Sequence, residues 1–187
     1  MHLLLLIRTA AAATALALSC FGAAAAGTHR DARDVRLVDQ MGLTFTLRDL
    51  HRPAAVVFID LDCDDACTIA EGLFARLAGT LAREHVDARL ITLTLDPDAD
   101  PPVAMAAMAR RFAADPTRWR WASGRPSDVR RLMAAFGVVR ISRSFHSTFA
   151  YLLDAHGIPV RTIPLSTTAD RELFDGLRRA AQHRPSA

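Results

Sequence analysis

Apolar and polar residues alternate over residues 35–39 and again over 43–47, on either side of Gln40, Met41 and Gly42, which predicts a β-hairpin closed by a glycine turn. The run 54–59, Ala-Ala-Val-Val-Phe-Ile, is apolar at every position, as in a strand covered on both faces within a parallel or mixed sheet. Directly after it come Asp60, Leu61, Asp62, Cys63, Asp64, Asp65, Ala66 and Cys67, and then a helix whose Ile69, Leu73, Leu77 and Leu81 recur at helical spacing. Residues 90–95 form a second buried strand halted by Asp96 and Pro97, and 103–112 a helix that ends before Asp115 and Pro116. Strand, helix, strand, helix in this order implies a right-handed crossover. Trp119 and Trp121 mark a short strand, and Ser127 is a good cap for a helix carrying Leu132, Met133 and Phe136 that closes at Gly137. Strands over 149–153 and 158–163 flank the turn Asp154, Ala155, His156, Gly157, and a last helix spans 169–181. The pattern predicts an α/β chain with a central mixed sheet, helices on both faces and an added N-terminal β-hairpin, a thioredoxin-like arrangement.

The two ends and the composition refine this picture. Residues 1–26 read as an export signal: a short start with Arg8, an uncharged apolar stretch from Thr9, and small residues up to Ala26. The uncharged run is about 18 residues, near the minimum for a spanning helix, so an uncleaved membrane anchor is one alternative. A lipoprotein signal ending at Cys20 is another. Residues 27–34 are polar and read as a tether, which leaves 35–187 as one folded domain on the outer side of the inner membrane, periplasmic or otherwise extracytoplasmic. All 23 basic residues are arginine. A net charge of +3 spread over the whole chain argues against a nucleic-acid partner, which needs a concentrated basic stripe. The arginine pairs 110–111, 130–131 and 178–179 fall on predicted amphipathic helices and read as solvated faces.

Once the leader is gone, Cys63 and Cys67 are the remaining cysteines, in a compartment where a thiol pair can oxidise. Separated by three residues at a helix start, they lie about one turn from each other, so both sulfurs can face one side and act as a soft bidentate ligand suited to Cu(I). The helix start also favours a thiolate. The simpler reading is a plain Cys63–Cys67 disulfide. The crowd of Asp60, Asp62, Asp64 and Asp65 opposes thiolate formation and attracts a cation, which biases the site toward metal, while Asp64 and Asp65 also serve as helix caps. Two thiolates leave a copper ion open to a third ligand. His2 belongs to the leader, and His29, His51, His85, His156 and His183 read as exposed. His146 stands just before the strand at Phe149, in the loop that faces the cysteine-bearing helix in thioredoxin-like folds; a bystander histidine is the alternative there.

From about residue 35 to 181 the chain resembles the Sco (SenC) family of copper-binding assembly factors for cytochrome oxidase. The matching features are the strand into Cys63 and Cys67, then Asp96, Pro97 and Asp100, Gly137 with Val138, and His146 ahead of Leu153, Asp154 and Gly157. The resemblance implies copper, Cu(I) or Cu(II), bound by Cys63, Cys67 and His146, with Asp96 and Asp100 near the site. It also implies a copper-receiving oxidase subunit or other copper protein as partner. Family members usually carry proline after each cysteine and an aromatic and a threonine just before. Here Asp64 and Thr68 follow the cysteines, with Asp60, Leu61 and Asp62 ahead, so affinity, potential or partner can differ. Three functions remain open at this level: a metallochaperone, a thiol:disulfide oxidoreductase using Cys63 and Cys67, and a copper or redox sensor of the cell envelope.

Overall fold

In a computed structural model the chain divides into two units, Met1–Arg30 and Asp31–Ala187, and only the second is described below. Within it the structure describes residues 31–62, 66–138, 149–166 and 168–182, with backbone alone for 66–68. The strands are β1 (Leu37–Asp39), β2 (Thr44–Phe45), β3 (Ala54–Ile59), β4 (Arg89–Thr94), β5 (Trp119–Gly124), β6 (Phe149–Leu153) and β7 (Pro159–Pro164). The helices are α1 (Ala66–Arg83), α2 (Pro102–Arg111), α3 (Pro126–Ala135) and α4 (Ala169–Gln182). Single 3₁₀ turns occupy Ala32–Asp34 and Leu47–Leu50.

The strands form one seven-stranded sheet in the order β2-β1-β5-β4-β3-β6-β7. β3, β4 and β5 run parallel to each other, whereas β6 pairs antiparallel with β3, and β7 with β6. The N-terminal hairpin attaches through β1 to the far edge of β5. Every residue of β3 is buried, because its alternate side chains serve two cores. Ala55, Val57 and Ile59 pack with Leu73, Phe74, Leu77 and Leu81 of α1 and with Leu173 and Leu177 of α4. Ala54, Val56 and Phe58 face the other way, toward Val129, Leu132 and Met133 of α3 and toward Leu47 and Leu50. Helices therefore cover both faces of a mixed sheet, and the expected α/β, thioredoxin-like architecture with an added hairpin is what the chain forms.

Three local details differ from the sequence reading. The hairpin strands are shorter than the alternation suggested, because Leu47 enters a 3₁₀ turn and buries itself beside Leu50. Ser127 does not cap α3: the helix starts at Pro126 with Arg125 in the cap position, since a proline in the first turn sacrifices only an N–H that has no helical acceptor. Ile69, expected to continue the apolar stripe of α1, is 62% exposed, whereas Leu73, Leu77 and Leu81 on the same stripe are buried.

Candidate metal centre

The parallel strands β3 and β4 end together, and the chain leaves the sheet at the same edge from both. Hydrogen bonding between the two exits fixes the approach to α1. Leu95 N–H donates to the Ile59 carbonyl at 2.6 Å, just past the last paired residues of the two strands. Beyond it, Asp100 Oδ2 accepts from Thr94 Oγ1 at 2.8 Å and from Leu61 N–H at 3.4 Å. The Thr94 hydroxyl in turn accepts from Asp96 N–H at 2.8 Å. Asp60 closes a small turn by accepting from Asp62 N–H at 3.0 Å. The segment that leads into Cys63 is thus held from below by Asp100 and Thr94, both buried.

These carboxylates set the electrostatics of the loop. Burial pushes the Asp100 carboxyl above its usual range; the Thr94 and Leu61 hydrogen bonds oppose that shift, and nearby Asp60 and Asp96 add to it. An incoming cation relieves this mutual repulsion, whereas a second thiolate aggravates it. Among the described residues no group of three His, Cys, Asp or Glu side chains is placed to hold an ion.

Cys67 is the second residue of α1, so its backbone lies in the first turn, where N–H groups without helical partners favour a thiolate. Its side chain, Cys63 and His146 lie outside the described residues. So do Asp64 and Asp65. The elements that lead to these positions are described, and they are neighbours. β3 hands the chain on to Cys63 four residues after Ile59, β6 begins three residues after His146, and Val57 of β3 pairs with Ala150 of β6. Asp100 is brought to the same loop by its bond to Leu61, and Asp96 sits in the turn just before it. His51, His85 and His156 are exposed, away from this loop.

Sequence reasoning passed over two residues here. Thr94 links both turns, and the sign available was a hydroxyl at the last residue of an otherwise apolar strand. Glu71 lies four residues beyond Cys67 on α1; it is 2% exposed, and its Oε1 has no hydrogen-bond partner. Burial pushes its carboxyl up from 4.5 to about 7, with Arg111 on α2 opposing the shift. The sign available was an acid between Ala70 and Leu73, next to the apolar stripe.

Among the described residues no helix is long and apolar enough to cross a membrane. The family model for SCO1/SenC matches residues 24–182. Among curated proteins, the SCO2-like protein of Rickettsia conorii is 22% identical over 156 residues, which cover 78% of this chain and 74% of that one. Among solved structures, yeast Sco1 with copper bound has a TM-score of 0.67 at 21% identity, covering 81% of this chain and 92% of that one. BsSco, described as a member of the Sco family of cytochrome c oxidase assembly proteins with a disulfide switch, has a TM-score of 0.70 at 18% identity, covering 80% and 92%. The matched span runs through all seven strands and all four helices, and the chain belongs to the SCO1/SenC family.

Proposed function

We propose that this chain is an extracytoplasmic copper metallochaperone that carries one copper ion on Cys63, Cys67 and His146 and assists assembly of the copper site of a respiratory cytochrome oxidase. The observation that supports this reading is the antiparallel pairing of β3 with β6, which brings the end of β3 and the start of β6 to one end of the sheet. Adjacent strands lie about 5 Å apart, and an extended residue spans about 3.3 Å. A segment three residues ahead of Phe149 and another four residues beyond Ile59 are therefore within chain reach of each other. The donor set fits the cargo: two thiolates and an imidazole suit Cu(I) and accept Cu(II), while the carboxylates around the loop favour any cation. Transfer then proceeds by exchange of thiolate ligands with a client that offers its own sulfurs.

Family membership, the copper-bound yeast relative and the assembly role stated for BsSco support this reading. Export follows from the leader, with an inner-membrane anchor as its retained form. Loading purified protein with Cu(I) and counting copper per chain, beside His146→Ala, tests the ligand set. One tightly held copper in the wild type and weakened retention in the variant are expected; equal retention removes the histidine. Unchanged oxidase assembly under copper limitation in a strain lacking the gene would count against the assembly role and leave a sensor.

A second reading has support of its own, from the position of Cys67 in the first turn of α1, with Cys63 four residues before it in sequence, and from the disulfide switch stated for BsSco. In it Cys63 and Cys67 reduce a client disulfide: two thiols give up two protons and two electrons, the client bond opens to two thiols, and a Cys63–Cys67 disulfide remains. Disulfide exchange with a client peptide separates the readings, and inert thiols end this one.

A further inference from the structure

The opposite end of the sheet carries a second feature, independent of copper. β3, β4 and β5 all begin there, and the chain around their first residues walls a pocket of about 320 Å³ lined by Arg52, His85, Asp87, Arg89, Thr117 and Arg118. Six residues of parallel strand put it about 20 Å from the C-terminal ends of β3 and β4. Each wall is fixed by backbone bonding: Arg89 N–H donates to the Pro53 carbonyl at 3.0 Å and Leu90 N–H to the Arg118 carbonyl at 2.8 Å. The three guanidinium-bearing residues therefore stand at the starts of three adjacent, hydrogen-bonded strands.

Charge in this pocket is not balanced. Asp87 is the carboxylate in the lining and is shared: Arg52 Nη1 approaches its Oδ1 at 3.3 Å and Arg89 Nη1 at 4.0 Å. Asp115 lies close enough to feel Arg118 and Arg89, but its carboxylate already accepts from the Thr117 N–H at 2.9 Å and hydroxyl at 2.7 Å. The Arg89 side chain is only 18% exposed and is crowded by Arg52, Arg118 and Arg120, so burial and repulsion from these cations work against its charge. Three arginines lining one concave pocket, with a single lining carboxylate shared by two of them, are what an oxyanion with several acceptor oxygens would satisfy.

We propose that this pocket binds a phosphate group, either as a free phosphate or as the headgroup of an anionic lipid, through Arg52, Arg89 and Arg118. Guanidinium pairs match the tetrahedral oxygens bidentately, and the negative charge of a phosphate would offset the excess positive charge that Asp87 leaves. The site stands apart from the ligand set of the copper reading, so it is tested on the copper-free protein.

The test is calorimetric titration of the purified full chain with inorganic phosphate at fixed ionic strength, for wild type, Arg52→Ala with Arg118→Ala, and Arg130→Ala as control. Arg130 is exposed and paired with Asp98, remote from the pocket. One saturable site per chain with a dissociation constant of about 1 mM or tighter is expected, weakened about tenfold per guanidinium removed and unchanged in the control. Circular dichroism on the double variant confirms that it is folded, and if it is not, Arg118→Ala alone is read in its place. Flotation with phosphatidylglycerol vesicles against phosphatidylcholine vesicles assigns the source. Binding to the anionic vesicles that the variant loses identifies a headgroup, whereas phosphate binding without it identifies a soluble phosphate. Absence of saturable phosphate binding, or equal binding by wild type and variant, overturns the proposal.

Discussion

Replacing Glu71 by glutamine tests whether a buried acid on α1 destabilises this protein at neutral pH. The side chain is 2% exposed, its Oε1 lacks a partner, and its carboxyl is pushed up from 4.5 to about 7 chiefly by burial. The native state therefore holds this proton over a range where the unfolded chain has released it. Stability then falls as pH rises from about 4.5 and levels off above about 7, where both states are ionised. At about 1.4 kcal/mol per unit the full effect is about 3 kcal/mol, an upper bound that water reaching the carboxyl would lower toward about 1 kcal/mol. Glutamine carries no charge at any pH and keeps the shape. Urea unfolding of wild type and Glu71→Gln at pH 5 and pH 8 isolates this one group, because every other titration cancels in the difference. The variant should gain about 1 to 3 kcal/mol over wild type on going from pH 5 to pH 8. A difference that does not change with pH, or a variant less stable at pH 8, would show that Glu71 is solvated or paired in the native state.

Two further substitutions probe the scaffold. Gly157 has φ 73°, and a Cβ there would run into the Leu47 carbonyl, so Gly157→Ala combines left-handed strain with a backbone clash. It should cost about 2–4 kcal/mol and lower the melting temperature by roughly 5–10 °C; a melting temperature within about 2 °C of wild type would mean that the turn and Leu47 are not in contact. Thr94→Val removes the donor to Asp100 and the acceptor of Asp96 N–H, so denaturant unfolding should show a loss of about 1–3 kcal/mol. That loss should grow as pH rises through the ionisation of Asp100, whose charged form needs the donor more; a pH-independent loss would contradict the role given to this bond.

The strands and helices were legible because their signals are local and strong. The unbroken apolar run 54–59 announced β3, and the spacing of Leu73, Leu77 and Leu81 announced α1. Ile69 has the same spacing yet is exposed, and which turns of a helix find a covering neighbour is a tertiary fact that periodicity does not encode. Ser127 looked like a cap by its chemistry, and Pro126 outweighed it by geometry. Asp96 and Asp100 were singled out through family resemblance. Asp100 bonds directly to Leu61 N–H and is joined to Asp96 through Thr94, and such a link between two strand exits has no sequence signature. The arginine pocket was equally hidden, because Arg52, Arg89 and Arg118 are far apart in the chain and meet only where three parallel strands begin.

X-ray absorption at the copper edge of the Cu(I)-loaded protein counts the atoms bonded to the metal. Two sulfur scatterers and one imidazole nitrogen in the wild type, with the nitrogen lost in His146→Ala, are the expected result. A spectrum fitted by sulfur alone and unchanged by that substitution would contradict a copper ion shared between the helix start and the loop before β6.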